Sequence, residues 1–227
     1  MCATALNPVM VWPVAPELTA PVVACVLVTP YGVPAAERLE LAESLRAQCE
    51  RLADGVIWLG LRGQVWPDGA LLDLGRRSVS EAQADCEQLM AWLVAQQLTA
   101  RIGIGSSQTL AQLVALRAAS GVVCAIDMEQ AQPFIRRFPV DALSRLALEA
   151  ITPALVARLH QAGLRTLGQV AQLDARDPAA LRRQFGEASG ACLALIAQGN
   201  DLCLSQAGSA PSHSACDARP SCVTRMD

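Results

Sequence analysis

Apolar positions along this chain follow two patterns in turn. As far as Asp127 short β-rich runs alternate with helical stretches, and beyond it only helical spacing remains. The first run, "VVACVLVTP", is closed by Pro30 and Gly32. From Pro34 to Ala53, Leu39, Leu41, Ala42, Leu45, Cys49 and Leu52 recur on one helix face, with acids early and arginines late, as the helix dipole prefers. "VIWLGL" (56–61) and "ALLDLG" (70–75) are strands joined through "RGQVWPDG", in which Pro67, Asp68 and Gly69 are turn formers. Ser78 or Ser80 caps a long helix running to about Gln97. "ARIGIG" is the next strand, a helix follows from Ser107 to Ala119, and "VVCAI" ends the series. This order predicts an α/β (α+β) layered sheet over residues 21–130, with helices packed on one side.

After Asp127 the stretches "DMEQAQPFIRRF", "PVDALSRL", "TPALVARLHQAGLRTLGQVAQL", "DPAALRRQFG" and "EASGACLALIAQG" read as short helices. Leu155, Leu159, Gly163, Leu164, Leu167 and Val170 place two of them around Ala162-Gly163-Leu164, a helix-hairpin-helix within a small all-α domain over residues 131–203. Residues 1–20 are proline-rich without periodicity, and 204–227 are dominated by Ser, Ala, Pro, Cys and His. The expectation is an irregular lead-in and a disordered tail.

Composition narrows the chemistry. All 18 cations are arginine, so neither a lysine-bearing phosphate loop nor a lysine Schiff base is available. The net charge of -3 argues against a general nucleic-acid binder. Its distribution matters more: between Arg136 and Arg183 eight arginines face four acids, a local excess of +4 that leaves -7 elsewhere. With 52% hydrophobic and 17% charged residues the body is globular. The longest early apolar run, "PVVACVLV", is too short to span a bilayer, which points to a soluble, cytoplasmic protein with no membrane partner. Nine cysteines stand singly with no C-x-x-C pair and read as reduced, small hydrophobes. His213, Cys216 and Cys222 fall short of the four closely spaced ligands zinc prefers, so no metal or cofactor is expected.

"RIGIGSSQTLAQLVAL" (101–116) has the strand, glycine turn and helix of a phosphate-holding element, yet lacks a cation at the turn. Together with "FPVDAL", "LHQAGLRTLGQVAQL" and "LRRQFGEASGACLALIAQGND" in that order, it resembles the palm and thumb of Y-family translesion DNA polymerases over roughly residues 35–201. Within that family the chain is most similar to ImuB-type proteins, polymerase-like partners in bacterial SOS mutagenesis that lack polymerase activity. Active relatives carry an Asn-Lys pair after the glycine strand and another lysine one helical turn on. Here those positions read Ser107-Gln108 and Gln112. The family's catalytic Asp-Glu pair corresponds to Asp68 and Gly69, with Asp73 at a position of lesser consequence. The first strand, Val22 to Pro30, holds no acid, and only "YGV" stands where relatives insert their fingers. Two-metal phosphoryl transfer needs clustered carboxylates, so the catalytic set is read as vestigial.

The resemblance implies binding of primer-template or damaged DNA. It also implies partners such as a RecA-like accessory protein, a replicative-type polymerase and the sliding clamp, although the tail contains no clamp-binding string. The hairpin residues Gly163, Leu164, Arg165 and Thr166, with Arg158 before them, are the candidate DNA contacts through backbone N–H groups at the second helix start. An ordinary helical hairpin burying Leu159, Leu164 and Leu167 is the competing interpretation. The stronger Gly-hydrophobic-Gly grip of related polymerases is replaced by "LALEAITP", with Glu149 and no glycine. Two other functions stay open: a nucleotidyltransferase using Asp68, Asp73 and a carboxylate brought in by folding, or a protein-interaction fragment that does not bind DNA.

Overall fold

Strand β1 (Val23–Thr29) is the centre of the sheet because it is apolar on both faces, every residue from Val23 to Val26 being buried. A computed structural model describes residues 21–60, 66–146 and 150–199. The lead-in expected over 1–20, the tail expected over 204–227 with His213, Cys216 and Cys222, and Glu149 lie outside the described residues. After β1 come α1 (Arg38–Leu52), β2 (Gly55–Leu59), β3 (Gly69–Asp73), α2 (Val79–Ala95), β4 (Thr99–Gly105), α3 (Gln108–Arg117) and β5 (Val123–Ala125). The five-stranded sheet has the order β2-β3-β1-β4-β5. Pairing is antiparallel from β2 through β4 and parallel between β4 and β5.

The expected α/β, palm-like sheet is present, and α1 and α2 lie on one side of it. Alternation along the strands explains why: Ala24, Val26, Leu72, Ile102 and Ile104 share a face with Leu45 and Cys49 of α1 and Cys86, Leu89 and Leu93 of α2. Each fully buried Leu or Ile there contributes about 1.5–3 kcal/mol. The cap of α2 is Ser78, whose hydroxyl accepts from the Glu81 amide while Glu81 reaches back to the Ser78 amide, closing a capping box.

Helix α3 departs from the one-sided expectation. Ala111 and Ala115 pack with Val23, Cys25 and Leu71 on the opposite face. The reason lies in the glycines of β4, since a β-carbon at Gly103 would lie 2.2 Å from the Ala115 nitrogen and 2.4 Å from the Ala111 oxygen. Glycine lets the helix backbone sit directly on the strand.

From α3 the chain enters α4 (Met128–Arg136), a 3-10 turn (Val140–Arg145), α5 (Pro153–Gln161), α6 (Leu167–Arg176), α7 (Ala180–Phe185) and α8 (Glu187–Gln198). These helices share a core formed by Ile135, Leu143, Leu159, Leu167, Leu181 and Ile196, which extends into α3 through Leu110 and Leu113. Helix α3 therefore has the sheet on one flank and the helical core on the other.

Candidate nucleic-acid interface and the catalytic slot

Gly69, expected from the resemblance to stand in place of a catalytic glutamate, is the first residue of β3, paired with Leu27 on β1 and Leu59 on β2. It is buried, and a β-carbon there would lie 2.2 Å from the Val26 carbonyl oxygen and 3.2 Å from the Leu27 α-carbon. Both contacts are to backbone, which cannot turn aside as a side chain can. The slot has no room for a carboxylate, and the residue opposite it on the central strand is apolar. Asp68 is exposed at the turn, where its amide donates to the Leu59 carbonyl and its carbonyl accepts from Val28. Asp73 lies at the far end of β3, its carboxylate accepting from the Gly75 amide at 2.9 Å and closing a local turn. Five residues of extended chain separate the two aspartates by about 16 Å. Paired catalytic metals sit about 4 Å apart, so Asp68 and Asp73 cannot share one centre. Among the described residues no group of three or more His, Cys, Asp or Glu is placed to hold a metal ion.

The turn between β4 and α3 is built for packing. Ser107 is 3% exposed and caps α3, accepting from the Leu110 amide at 3.1 Å, so its hydroxyl serves the helix. Gln112 is equally buried, at 3%. Gly105 faces Leu110, whose side chain would lie 2.7 Å from an added β-carbon. The glycines that resemble a phosphate cradle in sequence are spacers between a strand and the helix lying on it.

Helices α5 and α6 are joined through a turn with Gly163 at φ +80°. Thr152 caps α5 and Thr166 caps α6. Gly163 and Arg165 are exposed, while Leu164 and Thr166 are half-buried, so these four lie together on the turn. Their amides are occupied. Gly163 donates to His160, Leu164 to Leu159, and Leu167 to Phe138. Gln169 accepts from both Arg165, at 2.6 Å, and Thr166, at 3.2 Å. A phosphate reaching the hairpin amides has to displace the Gln169 side chain. Arg158, exposed on α5, donates its guanidinium to the Gln184 carbonyl and lies 5.6 Å from the centre of the Phe185 ring.

The fold gives His160 two partners. Its Nε2 is 2.9 Å from Asp141 Oδ1 and its Nδ1 is 2.7 Å from Arg165 Nη1. The hydrogen bond from His160 holds the Asp141 carboxyl below its ordinary value, with a smaller contribution from the Arg165 charge. No sequence signal joins Asp141 to residues 160 and 165, because the bridge depends on the pairing of Pro139 with Thr166. Burial pushes the thiols of Cys25, Cys49 and Cys86 up to about 12, which leaves them unreactive in the core. Trp66 is also buried there, and Trp58 is half-buried with Arg46 over its ring, so neither forms a free stacking platform.

Among the described residues no helix is long and apolar enough to cross a membrane. No family model matches the chain, and no curated protein matches it. Solved structures do. DinB from Sulfolobus solfataricus superposes with a TM-score of 0.56 at 16% identity, covering 73% of this chain and 46% of that one. An insertion ternary complex of Dbh DNA polymerase gives 0.55 at 17%, with 74% and 46% covered. A DinB family error-prone DNA polymerase from Sulfolobus solfataricus gives 0.54 at 14%, with 78% and 66% covered. The chain thus spans about half to two thirds of the length of these polymerases, and its fold is similar to that of the Y-family DinB and Dbh enzymes.

Proposed function

We propose that this chain is a non-catalytic, Y-family polymerase-like DNA repair protein of the ImuB type. It binds primer-template or damaged DNA, or the other members of a translesion assembly, while a separate enzyme performs synthesis. The observation that carries the proposal is the filled slot at Gly69, where backbone occupies the space of a metal-binding carboxylate and Leu27 stands opposite. The likeness to Dbh, which has been solved in an insertion ternary complex, supports the DNA-binding half.

The hairpin Gly163-Leu164-Arg165-Thr166 is the assigned contact, acting through the exposed Arg165 side chain, because the amides are already engaged. Arg158, exposed on α5 and bonded to the Gln184 carbonyl, is the further candidate contact. A RecA-like accessory protein, a replicative-type polymerase and the sliding clamp are the partner classes consistent with such a role.

The test is retention of labelled primer-template DNA across a salt series. With two or three phosphate contacts the affinity should fall with a log-log slope of about -2 to -3. Arg165→Glu should weaken retention at low salt. A slope near zero removes DNA from the proposal.

A further inference from the structure

Apart from the hairpin, a cavity of about 480 Å³ opens where three helical segments end together. Its apolar side is Phe134, half-buried, and Phe138, 6% exposed, packed edge to face with ring centres 5.0 Å apart. Three exposed arginines line it. Arg117 ends α3, Arg137 caps α4, and Arg145 ends the 3-10 turn. None of the three forms a salt bridge with another described residue. The one acid on the wall, Asp141, is engaged by His160.

We infer that this cavity docks an acidic peptide segment of a partner protein, an apolar side chain packing on the open part of Phe134 while flanking carboxylates meet Arg117, Arg137 and Arg145. The charge is complementary, and guanidinium forks match carboxylates in pairs. Arg117 is already pinned, its guanidinium 6.0 Å from the centre of the Phe138 ring. A pre-placed fork loses less freedom on binding. The cavity is large enough for a side chain, and its concave shape suits an anchor better than a duplex backbone.

This inference does not depend on the hairpin meeting DNA. The experiment is fluorescence anisotropy of the full chain with a labelled peptide of alternating Asp or Glu and Leu or Phe. A peptide with Lys replacing the acids and a single-stranded oligothymidylate serve as comparison probes. The acidic peptide should bind saturably. Its Kd should rise at least about tenfold in Arg137→Glu/Arg145→Glu and again in Ser144→Glu, which places a carboxylate on the rim. Arg101→Glu, on the exposed side of β4, should leave it unchanged, and circular dichroism should show all variants folded. Absence of saturable binding, equal binding of the Lys peptide, or equal affinity in the rim variants overturns the inference. Tighter binding of the oligothymidylate, lost in the same variants, overturns it in favour of a nucleic-acid site.

Discussion

A β-carbon at Gly69 or Gly103 has only backbone to push against, and that sets what substitution can do at either place. Gly69→Glu should therefore fail to create a metal site. It should instead lower stability by about 2 kcal/mol or more, the cost of overpacking a position that cannot relax. A urea midpoint close to that of the parent chain would show that the slot opens more easily than the contacts at Val26 and Leu27 allow. Asp141 offers a different test. His160 depresses its folded pKa, so the stabilisation is present above the ordinary carboxylate value and is lost as pH falls through the lower, folded one. By NMR, Asp141 should titrate below the ordinary value of about 3.9 and move back toward it in His160→Gln. An unchanged midpoint in that variant would remove the bridge.

At the scale of single elements, the start of α6 decides how the hairpin can act. Its Thr166–Gln169 capping box ties up the amides of Arg165 and Thr166. Gln169→Ala should cost about 1 kcal/mol of stability, as lost caps do. If Arg165 grips DNA through its side chain, that variant should retain primer-template as well as the parent chain does. A marked tightening in a filter-binding titration would mean that freed amides take the phosphate. The two helices and the turn between them were legible from Leu155, Leu159, Gly163 and Leu164, because apolar spacing and one glycine suffice to mark them. Occupancy of its amides was not read from sequence, although Thr166 followed three residues later by Gln169 fits the capping-box pattern. The strands from Val23 to Ala125 were legible to within a residue or two, since their apolar runs end at glycine, proline or a capping serine.

At the scale of the whole molecule, the side chosen by α3 was hidden. The glycines of "RIGIG" are compatible with a phosphate turn and with close helix packing, and only the opposite-face contacts of Ala111 and Ala115 distinguish the two. The cluster of Asp141, His160 and Arg165 was hidden for the same reason, being assembled by a tertiary bridge. Gly69 and the acid-free first strand were plain in the residues themselves, and the fold adds the backbone packing around Gly69. The central proposal is that the chain keeps a fold similar to that of the Y-family polymerases without their metal-binding chemistry. Its most direct test is single-turnover primer extension with the chain in excess over primer-template DNA and magnesium or manganese supplied. The expected result is no added nucleotide with either metal, whereas incorporation of one deoxynucleotide that is abolished by Asp68→Ala would contradict the account.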